Sequence, residues 1–374
     1  MSNPAASATT KHTYVQYRED LERPAPDEDN VVTKIIKSLR RNNEWAFKKY
    51  KHGIRDAHAK SHGILRGEMK VYSDLPEHLR QGLFATPTTY PVIARVSSTH
   101  PAIRPDKIRG VRAVALKVLN VEGERLSPDG VHTQDFVLVN HSEFPYADAQ
   151  DYYKKGMPAA RVLARLPDTA LWVLTEVLAA VQRVLALFGG RLPGALTLFT
   201  EPNNLVLGET FHSAAPLRYG KYVAKLSLVP YSKSVRRLQG RLLPRNAGPD
   251  VHREMVTNFF CVNSAEYEVR AQLCTNSEAM PIEDATVPWS EEASRPQGVA
   301  RITFPIQHSD GVYRRAFGDD VLSFNSWRGL VAHRPLGSIN RLKKRVYDAS
   351  SDYRHMVNNA PQIEPASIDD LPTQ

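Results

Sequence analysis

Three places in the chain carry residue types that could act together on one bound molecule. His58 follows Arg55 by three residues, Ser97 follows Arg95 by two, and Tyr347 lies in a basic segment near the C-terminal end. A histidine exchanges protons near neutral pH, and a tyrosine phenolate can bind iron. Arginine forks bind carboxylates. These residue types predict proton transfer beside a group that contains a metal and carries carboxylates.

Ordinary structural roles are the alternative for each of these residues. The chain has 13 histidines, so His58 could be a surface or capping histidine, and His52 and His62 are its rivals. Tyr347 could be a tyrosine on an amphipathic helix, and Tyr353 is the rival metal ligand. Arginines are most often solvated surface charges. Only their arrangement in the folded chain distinguishes these alternatives.

The segment 340–357 has the pattern of a basic helix. Tyr347 and Arg354 are seven residues apart, about two helical turns, and therefore share a face of that helix. A free tyrosine ionises near pH 10, so metal binding by its phenolate requires nearby positive charge. Four of the five residues from Arg341 to Arg345 are basic, and we expect them to supply that charge.

Composition limits the classes of function. The 374 residues include 42% hydrophobic ones, enough for a large core, and the net charge of +9 favours anionic partners. The basic residues are scattered and form no recognisable nucleic-acid module, and small molecules that carry carboxylates would use the same charge. Cys261 and Cys274 have neither metal-site spacing nor a disulfide framework, which indicates a reducing compartment. The first ten residues contain no apolar signal segment. We therefore expect a cytoplasmic protein.

Hydrophobic periodicity predicts a mixed fold with many strands. A helix is expected from Asp29 or Asn30, and a period near two begins at Gly67. Strands are expected at 69–72, 90–96, 111–119, 222–228, 267–273 and 302–306. Because strands and helices do not alternate regularly, the pattern favours an antiparallel α+β domain.

One segment, 169–188, is long and apolar enough to resemble a membrane span. Glu176, Gln182 and Arg183 interrupt it, and a charged residue at the bilayer centre costs about 2.5–3.5 kcal/mol. The segment is therefore interpreted as a buried or interfacial helix rather than a transmembrane one.

Taken together, these motifs resemble the catalase superfamily, in particular its short bacterial catalase-like haem proteins. The resemblance extends from about residue 31 to 355, with the motifs in the family's order. They are the Arg55-x-x-His58 segment, the Arg95-x-Ser97 strand, the core strand 111–117, the stretch 133–145 that ends in Phe-Pro, and the segment 321–325 before the basic helix.

The resemblance implies an α+β fold, an antiparallel β-barrel with surrounding helices and with haem b between barrel and helices. Composition adds a mobile N-terminal tail (1–28) and a polar C-terminal tail (359–374) on either side of this single haem domain (29–358). Homo-oligomers are common in the family, although the sequence does not fix a number of subunits.

Family roles can be carried over to individual residues. By this resemblance His58 is the acid–base residue on the substrate side of the haem, and Ser97 orients its imidazole. Tyr347 is the iron ligand, and Phe144 stacks on the haem edge. The haem propionates are expected to bind Arg55, Arg95 and Arg354.

Two positions depart from the family pattern. Lys343 lies four residues before Tyr347, where catalases have arginine, and is expected to contact the haem site through one hydrogen bond in place of the arginine fork. The distal asparagine of catalases is expected within 132–135, where Gln134 is the amide that could replace it, with His132 and Thr133 as weaker substitutes.

These departures move the expected activity away from hydrogen peroxide dismutation. A peroxidase or an enzyme that processes organic or fatty-acid hydroperoxides is favoured, with lipid contact through the apolar segment. The alternative is a non-enzymatic protein that binds or senses haem with a degenerate catalase fold.

Overall fold

The computed structural model describes residues 13–127, 130–192, 194–244 and 246–373. Within them the chain forms nine β-strands that belong to one antiparallel sheet. They are β1 (Lys60–Val71), β2 (Thr89–Ser98), β3 (Arg112–Val118), β4 (Gln134–Val139), β5 (Phe211–His212), β6 (Leu217–Tyr219), β7 (Tyr222–Pro230), β8 (Ala265–Leu273) and β9 (Gln297–Phe304).

The sheet closes into a barrel of eight strands. Its order is β5-β4-β3-β2-β1-β9-β8-β7, and pairing of β5 with β7 completes the circle, while β6 pairs with β7 outside it. The prediction of an antiparallel α+β barrel is therefore confirmed. The circle is narrowest between β4 and β5, which meet at a single residue pair, Val139 with His212.

Alternation along the strands fills the barrel with apolar side chains. On β2 the side chains of Val92, Ala94 and Val96 belong to the barrel core, and on β3 those of Val114 and Leu116 do. Successive side chains of a strand point to opposite faces. The intervening residues of β2 and β3 therefore face outward, towards the helices.

Strand β1 differs from its prediction. It begins at Lys60, seven residues before the alternating pattern starts at Gly67, and its first six residues are all buried. Burial of both faces removes the period of two that identifies a half-exposed strand. As a result β1 starts directly after the segment that carries His58.

Nine α-helices surround the barrel in the described residues. They are α1 (Glu28–Tyr50), α2 (Ala149–Asp151), α3 (Met157–Arg165), α4 (Asp168–Leu187), α5 (Gly194–Thr197), α6 (Lys233–Arg236), α7 (Val251–Phe260), α8 (Val312–Ala316) and α9 (Ser338–Asn358). Single π-helical turns at Tyr152–Gly156 and Phe317–Val321 follow α2 and α8. The long helices α1 and α9 pack together through Val31, Ile35 and Leu342, and their boundaries are close to those predicted.

Both segments outside the predicted haem domain contact the barrel where they are described. Residues 1–12 lie outside the described residues, whereas Val15, Tyr17 and Leu21 pack on a cluster that contains Trp289. At the other end of the chain, Leu371 is buried in a cluster on the barrel's outer surface.

Helix α4 occupies most of the apolar segment 169–188. Among the described residues it is the one helix whose length and composition would suit a membrane span. Its buried residues are Leu171, Thr175 and Ala179, which lie on one face, and the rest of the helix is largely exposed. One face of the helix is therefore buried, and the interpretation as a buried or interfacial helix stays a prediction for its exposed faces.

Candidate functional site

A cavity lies between the outer face of the barrel and helix α9, with a volume of about 600 Å³ when its opening to solvent is included. Four parts of the chain form its wall: the segment before β1, the outward residues of β2 to β4, the segment after the Phe317–Val321 turn, and α9. Six of the predicted site residues line it together, namely Arg55, His58, Arg95, Ser97, Tyr347 and Arg354. Residues nearly 300 positions apart in sequence therefore share one site.

Strand register determines which barrel residues reach the cavity. Ser97 pairs with Ala113, and Arg95 pairs with Ala115, which in turn pairs with Val137. The side chains of these five paired residues face outward, because they alternate along their strands with side chains of the barrel core. The two alanines leave space beside the polar residues, so this part of the wall is flat and open to a bound group.

His58 is held by two contacts to β2. Its Nδ1 lies 3.3 Å from Ser97 Oγ, and Arg95 Nη2 donates a hydrogen bond to the His58 carbonyl oxygen at 2.9 Å. The backbone of His58 has a φ of 58°, in the left-handed region that L-residues seldom occupy. Such a conformation persists where surrounding contacts fix it, and it is frequent at functional sites.

The surroundings keep the imidazole of His58 neutral. Burial lowers its pKa to about 3, and the positive charges of Arg95, Arg55 and Lys343 act in the same direction. When Nδ1 donates to Ser97, a lone pair remains on Nε2. The site therefore holds a histidine whose imidazole is neutral throughout the neutral pH range, with its Nε2 lone pair unprotonated.

Three arginines converge on the π-helical turn Phe317–Val321. Arg55 donates to the Gly318 carbonyl at 2.7 Å, and Arg354 donates to the Asp320 carbonyl at 2.6 Å. Arg95 donates to the Asp319 carboxylate through Nη2 at 2.8 Å. The turn thus gathers the three guanidinium groups at one end of the cavity.

The arginine cluster has unused capacity for anions. Burial, together with repulsion from Arg354 and Arg95, lowers the pKa of Arg55 well below its usual value. Burial alone would raise the pKa of Asp319, but Arg95 and Arg55 outweigh it and hold that pKa below its usual range. The Nε of Arg55 is buried without a hydrogen-bond partner. A ligand with two carboxylates, such as haem, fits this donor set.

Tyr347 presents its side chain to the same cavity from α9. Its hydroxyl makes no hydrogen bond within the described part of the chain, so its oxygen is available to an iron ion. Burial raises the pKa of Tyr347, and the neighbouring carboxylate of Asp56 raises it further. The positive charge that keeps Tyr347 deprotonated would therefore have to come from the metal itself.

The expectation that the basic residues 341–345 supply this charge is wrong. Arg341 forms ion pairs with Glu22, Glu28 and Glu283, and Arg345 contacts Asp29, all on the far side of α9. Helical geometry places adjacent residues about 100° apart, so a basic run cannot face one point. Among the described residues, burial and Asp56 are the causes that shift the pKa of Tyr347, and both raise it.

Gln134 does not reach the cavity. On β4 the side chain of Gln134 lies on the same inner face as those of Phe136 and Leu138, whereas Val137 faces the cavity. Its Oε1 accepts a hydrogen bond from the backbone N–H of Leu330 at 2.9 Å. The amide predicted to replace the distal asparagine is therefore used inside the fold. His132 and Thr133 do not line the cavity either; His132 is exposed and pairs with Glu122.

Phe144 and Lys343 lie next to each other but outside the cavity wall. The Lys343 Nζ is 5.6 Å from the centre of the Phe144 ring, and its nearest polar partner is Asn340 Oδ1 at 3.5 Å. Burial lowers the pKa of Lys343 to about 8. Contact of either residue with a haem stays a prediction.

The rival residues also lie outside this cavity. His52 is exposed and contacts Asp320 at 2.7 Å, and His62 is buried with its Nε2 2.7 Å from Ser98 Oγ. The ring of Tyr353 is covered by the guanidinium of Arg40 at 4.1 Å. Geometry therefore favours His58 and Tyr347 over each alternative.

Sequence reasoning missed a carboxylate in the cavity. Asp56 lines the wall beside Tyr347, and its Oδ1 accepts a hydrogen bond from Ser350 Oγ at 2.7 Å. Burial raises its pKa. A signal was present, because Asp56 lies inside the Arg55-x-x-His58 segment and Ser350 is one helical turn after Tyr347.

Three solved catalase structures share the fold of this chain. A fungal catalase superposes with a TM-score of 0.57 at 14% identity, over 96% of this chain and 70% of its own. Catalase A from Saccharomyces cerevisiae gives 0.58 at 16%, over 95% and 72%, and a bacterial catalase gives 0.54 at 14%, over 96% and 68%. No family model and no curated protein matches the sequence. The likeness shows the fold, which is catalase-like, as the sequence predicted.

Proposed function

We propose that this chain, with its catalase-like fold, binds haem b in the cavity and acts on peroxides as an oxidoreductase. The observation that carries the proposal is the convergence of His58 with Ser97, of Tyr347, and of three arginines on one cavity. These groups come from three parts of the chain that are distant in sequence, residues 55–58, 95–97 and 347–354, so their assembly supports a common ligand. Bound haem supplies the iron redox chemistry that splits a peroxide O–O bond.

Residues on both sides of the cavity would hold the haem. The Tyr347 oxygen is the proposed iron ligand, since it lies in the cavity without a hydrogen-bond partner in the described chain. Arg55, Arg95 and Arg354 are the proposed partners of the two propionates. Arg55 supports this assignment best, because its buried Nε has no partner.

His58 would move the proton that peroxide cleavage requires. Its Nε2 accepts the proton from the inner peroxide oxygen and returns it to the outer one, which leaves as water or an alcohol. Ser97 keeps the imidazole in position through the contact at Nδ1. The apolar side chains of Val137 and Phe324 in the wall limit access of water.

Peroxidase or organic hydroperoxide chemistry is favoured over dismutation of hydrogen peroxide. Dismutation requires a second small peroxide to be held and oriented on the substrate side. The amide of Gln134, the expected substitute for the distal asparagine, is bound to Leu330 instead. The small residues Ala57 and Ala113 leave room for a larger substrate.

Reconstitution with haem tests the proposal. We expect a ferric spectrum of the tyrosinate type, followed by consumption of a fatty-acid hydroperoxide at a higher kcat/KM than that of hydrogen peroxide. A tyrosinate spectrum with no consumption of either peroxide would favour a haem-binding or sensing protein. Absence of any Soret band would exclude both the haem enzyme and the haem-binding or sensing protein.

Replacing Asp56 with asparagine is expected to tighten haem binding. Burial is the larger cause of the raised pKa of Tyr347, but the carboxylate of Asp56 raises it further, and the substitution removes that negative charge. The asparagine oxygen can still accept from Ser350. Haem titration followed at the Soret band measures the change. An unchanged or weaker affinity would show that Asp56 does not influence the iron ligand. Asp352→Asn, which removes a carboxylate from the helix that carries Tyr347, is the matched control.

Acid is expected to destabilise the protein between pH 6.5 and about 4. Burial lowers the pKa of His100 to about 3 and that of His333 to about 4, as for His58. The unfolded chain therefore takes up protons near pH 6.5 while the folded chain does not, and stability falls as pH falls. Each such histidine contributes up to about 1.4 kcal/mol per pH unit.

Urea unfolding at pH 7 and pH 5 measures this effect. His333→Gln should reduce the difference in unfolding free energy between the two pH values, whereas the exposed His308→Gln should leave it unchanged. Equal stability of the unsubstituted protein at both pH values would contradict the expectation.

A further inference from the structure

Helix α4 presents an apolar stripe to solvent. Val173, Val177, Val181, Val184 and Phe188 recur at helical spacing on the side opposite the buried residues, and Phe188 is 84% exposed. The helix is therefore apolar on both faces. A large exposed apolar patch on a folded domain marks an interaction surface.

Beneath this stripe α3, α4 and α5 enclose an apolar chamber. Its volume, including the opening, is about 1420 Å³, and leucine, alanine and aromatic side chains dominate its wall. Val162, Leu174 and Leu196 belong both to the chamber wall and to the exposed apolar residues. The mouth of the chamber is therefore lined by exposed apolar residues of α3, α4 and α5.

The inner end of the chamber adjoins the cavity that holds His58. Thr99 and Val111 line the chamber, and each is two residues from a cavity residue, Ser97 and Ala113 respectively. Residues two apart on extended chain share a face and are separated by roughly 7 Å. Chamber and cavity are therefore successive sections along the same outer face of the barrel.

Charge around the apolar face favours an anionic partner. Residues 149–191 contain six basic and three acidic residues, a net charge of +3. Each of the three carboxylates is in an ion pair, Asp151 with Lys155, Asp168 with Arg104 and Glu176 with Arg109. Two copies of this positive face would repel each other, whereas anionic lipid headgroups attract it.

We propose that α3, α4 and α5 form a face that docks on an anionic phospholipid membrane, and that the chamber takes one acyl chain from it. The apolar stripe would enter the headgroup boundary, as amphipathic helices at membrane surfaces do. Trp172, whose ring lies 5.0 Å from Lys107 Nζ, is of the residue type enriched at such interfaces. If the proposed function holds, oxidised acyl chains become the substrates; docking itself does not depend on that reaction.

Co-sedimentation with vesicles tests the docking face. The full-length protein should bind phosphatidylglycerol vesicles at least tenfold better than phosphatidylcholine vesicles, with binding reduced by salt. The triple variant V177E/V181E/V184E should lose at least tenfold of this binding. Val262→Glu, at an apolar residue that is 71% exposed elsewhere, should bind as the unsubstituted protein does.

Two results would overturn the docking proposal. One is that the protein stays in the supernatant with both kinds of vesicle. The other is that the unsubstituted protein binds no vesicles and forms an oligomer in light scattering, whereas the triple variant is a monomer. A second copy of the chain would then cover the face.

Fluorescence of cis-parinaric acid tests the chamber separately. Ala195→Trp and Ala159→Trp place a large side chain in the chamber wall and should weaken binding of this probe at least tenfold while vesicle binding persists. Ala180→Trp, the same change on exposed α4 surface, should retain probe binding. Undiminished probe binding in both chamber variants would overturn the acyl-chain assignment. Neither measurement involves peroxide turnover, so a failure of the proposed peroxide reaction would be distinguishable from a failure of membrane docking or acyl-chain binding.

Discussion

Replacing His58 with alanine is expected to leave haem bound and to slow peroxide cleavage by about 10²- to 10⁴-fold, the usual contribution of a positioned acid–base group. The pKa of about 3 keeps this imidazole neutral at physiological pH, with its Nε2 lone pair unprotonated. The substitution removes Nε2 without touching Tyr347 or the arginine side chains. Single-turnover kinetics of the reconstituted variant measure the loss.

His52 supplies the control for this experiment. It lies six residues earlier, is exposed and does not line the cavity. His52→Ala should therefore retain the rate of the unsubstituted protein within about twofold, since it removes no group that the mechanism uses. A normal rate in the His58 variant, or a loss confined to the His52 variant, would contradict the assignment of the proton carrier.

Replacing Tyr347 with phenylalanine is expected to lower haem affinity by at least about 100-fold. Loss of a residue that merely supports a metal ligand typically costs 10- to 100-fold, and loss of the ligand oxygen itself should cost more. The phenylalanine ring keeps the volume of the side chain, so the fold should be retained. Haem titration and the loss of the tyrosinate bands in the ferric spectrum measure the effect.

Tyr353→Phe is the matched control, because this tyrosine lies on the same helix beneath Arg40 and away from the cavity. It should bind haem as the unsubstituted protein does. A decisive contrary result would be an exchange of phenotypes, with His58→Ala losing haem and Tyr347→Phe losing only peroxide cleavage. The roles of the two sides of the cavity would then be reversed.

Local pattern was sufficient for some elements and misleading for others. The long helices α1 and α9 were predicted within a few residues, because an apolar stripe repeats at 3.6 residues over many turns. The first half of β1 was missed, because burial of both faces leaves no alternation to recognise. Gln134 was assigned to the cavity by its position in the motif, but strand parity turns its side chain inward.

The basic run 341–345 shows the same limit on a helix. Charge density in the sequence suggested a positive environment for Tyr347, yet Arg341 and Arg345 pair with carboxylates of the N-terminal segment and α1. Asp56, which was not singled out, is the charged neighbour that affects the pKa of Tyr347. Residue type thus predicted that charged side chains are present, but not which way they point from the helix.

The sequence by itself determined the chemistry available: a histidine, a tyrosine and arginines in an order that resembles a haem protein, on an α+β chain of alternating strands. Only the tertiary structure decided which of these side chains meet. The outer faces of β2 and β3 meet α9 at the cavity, and the Phe317–Val321 turn gathers three arginines that are distant in sequence. The physical reason is that propensity and periodicity act over one element, whereas a site depends on register, parity and packing between elements.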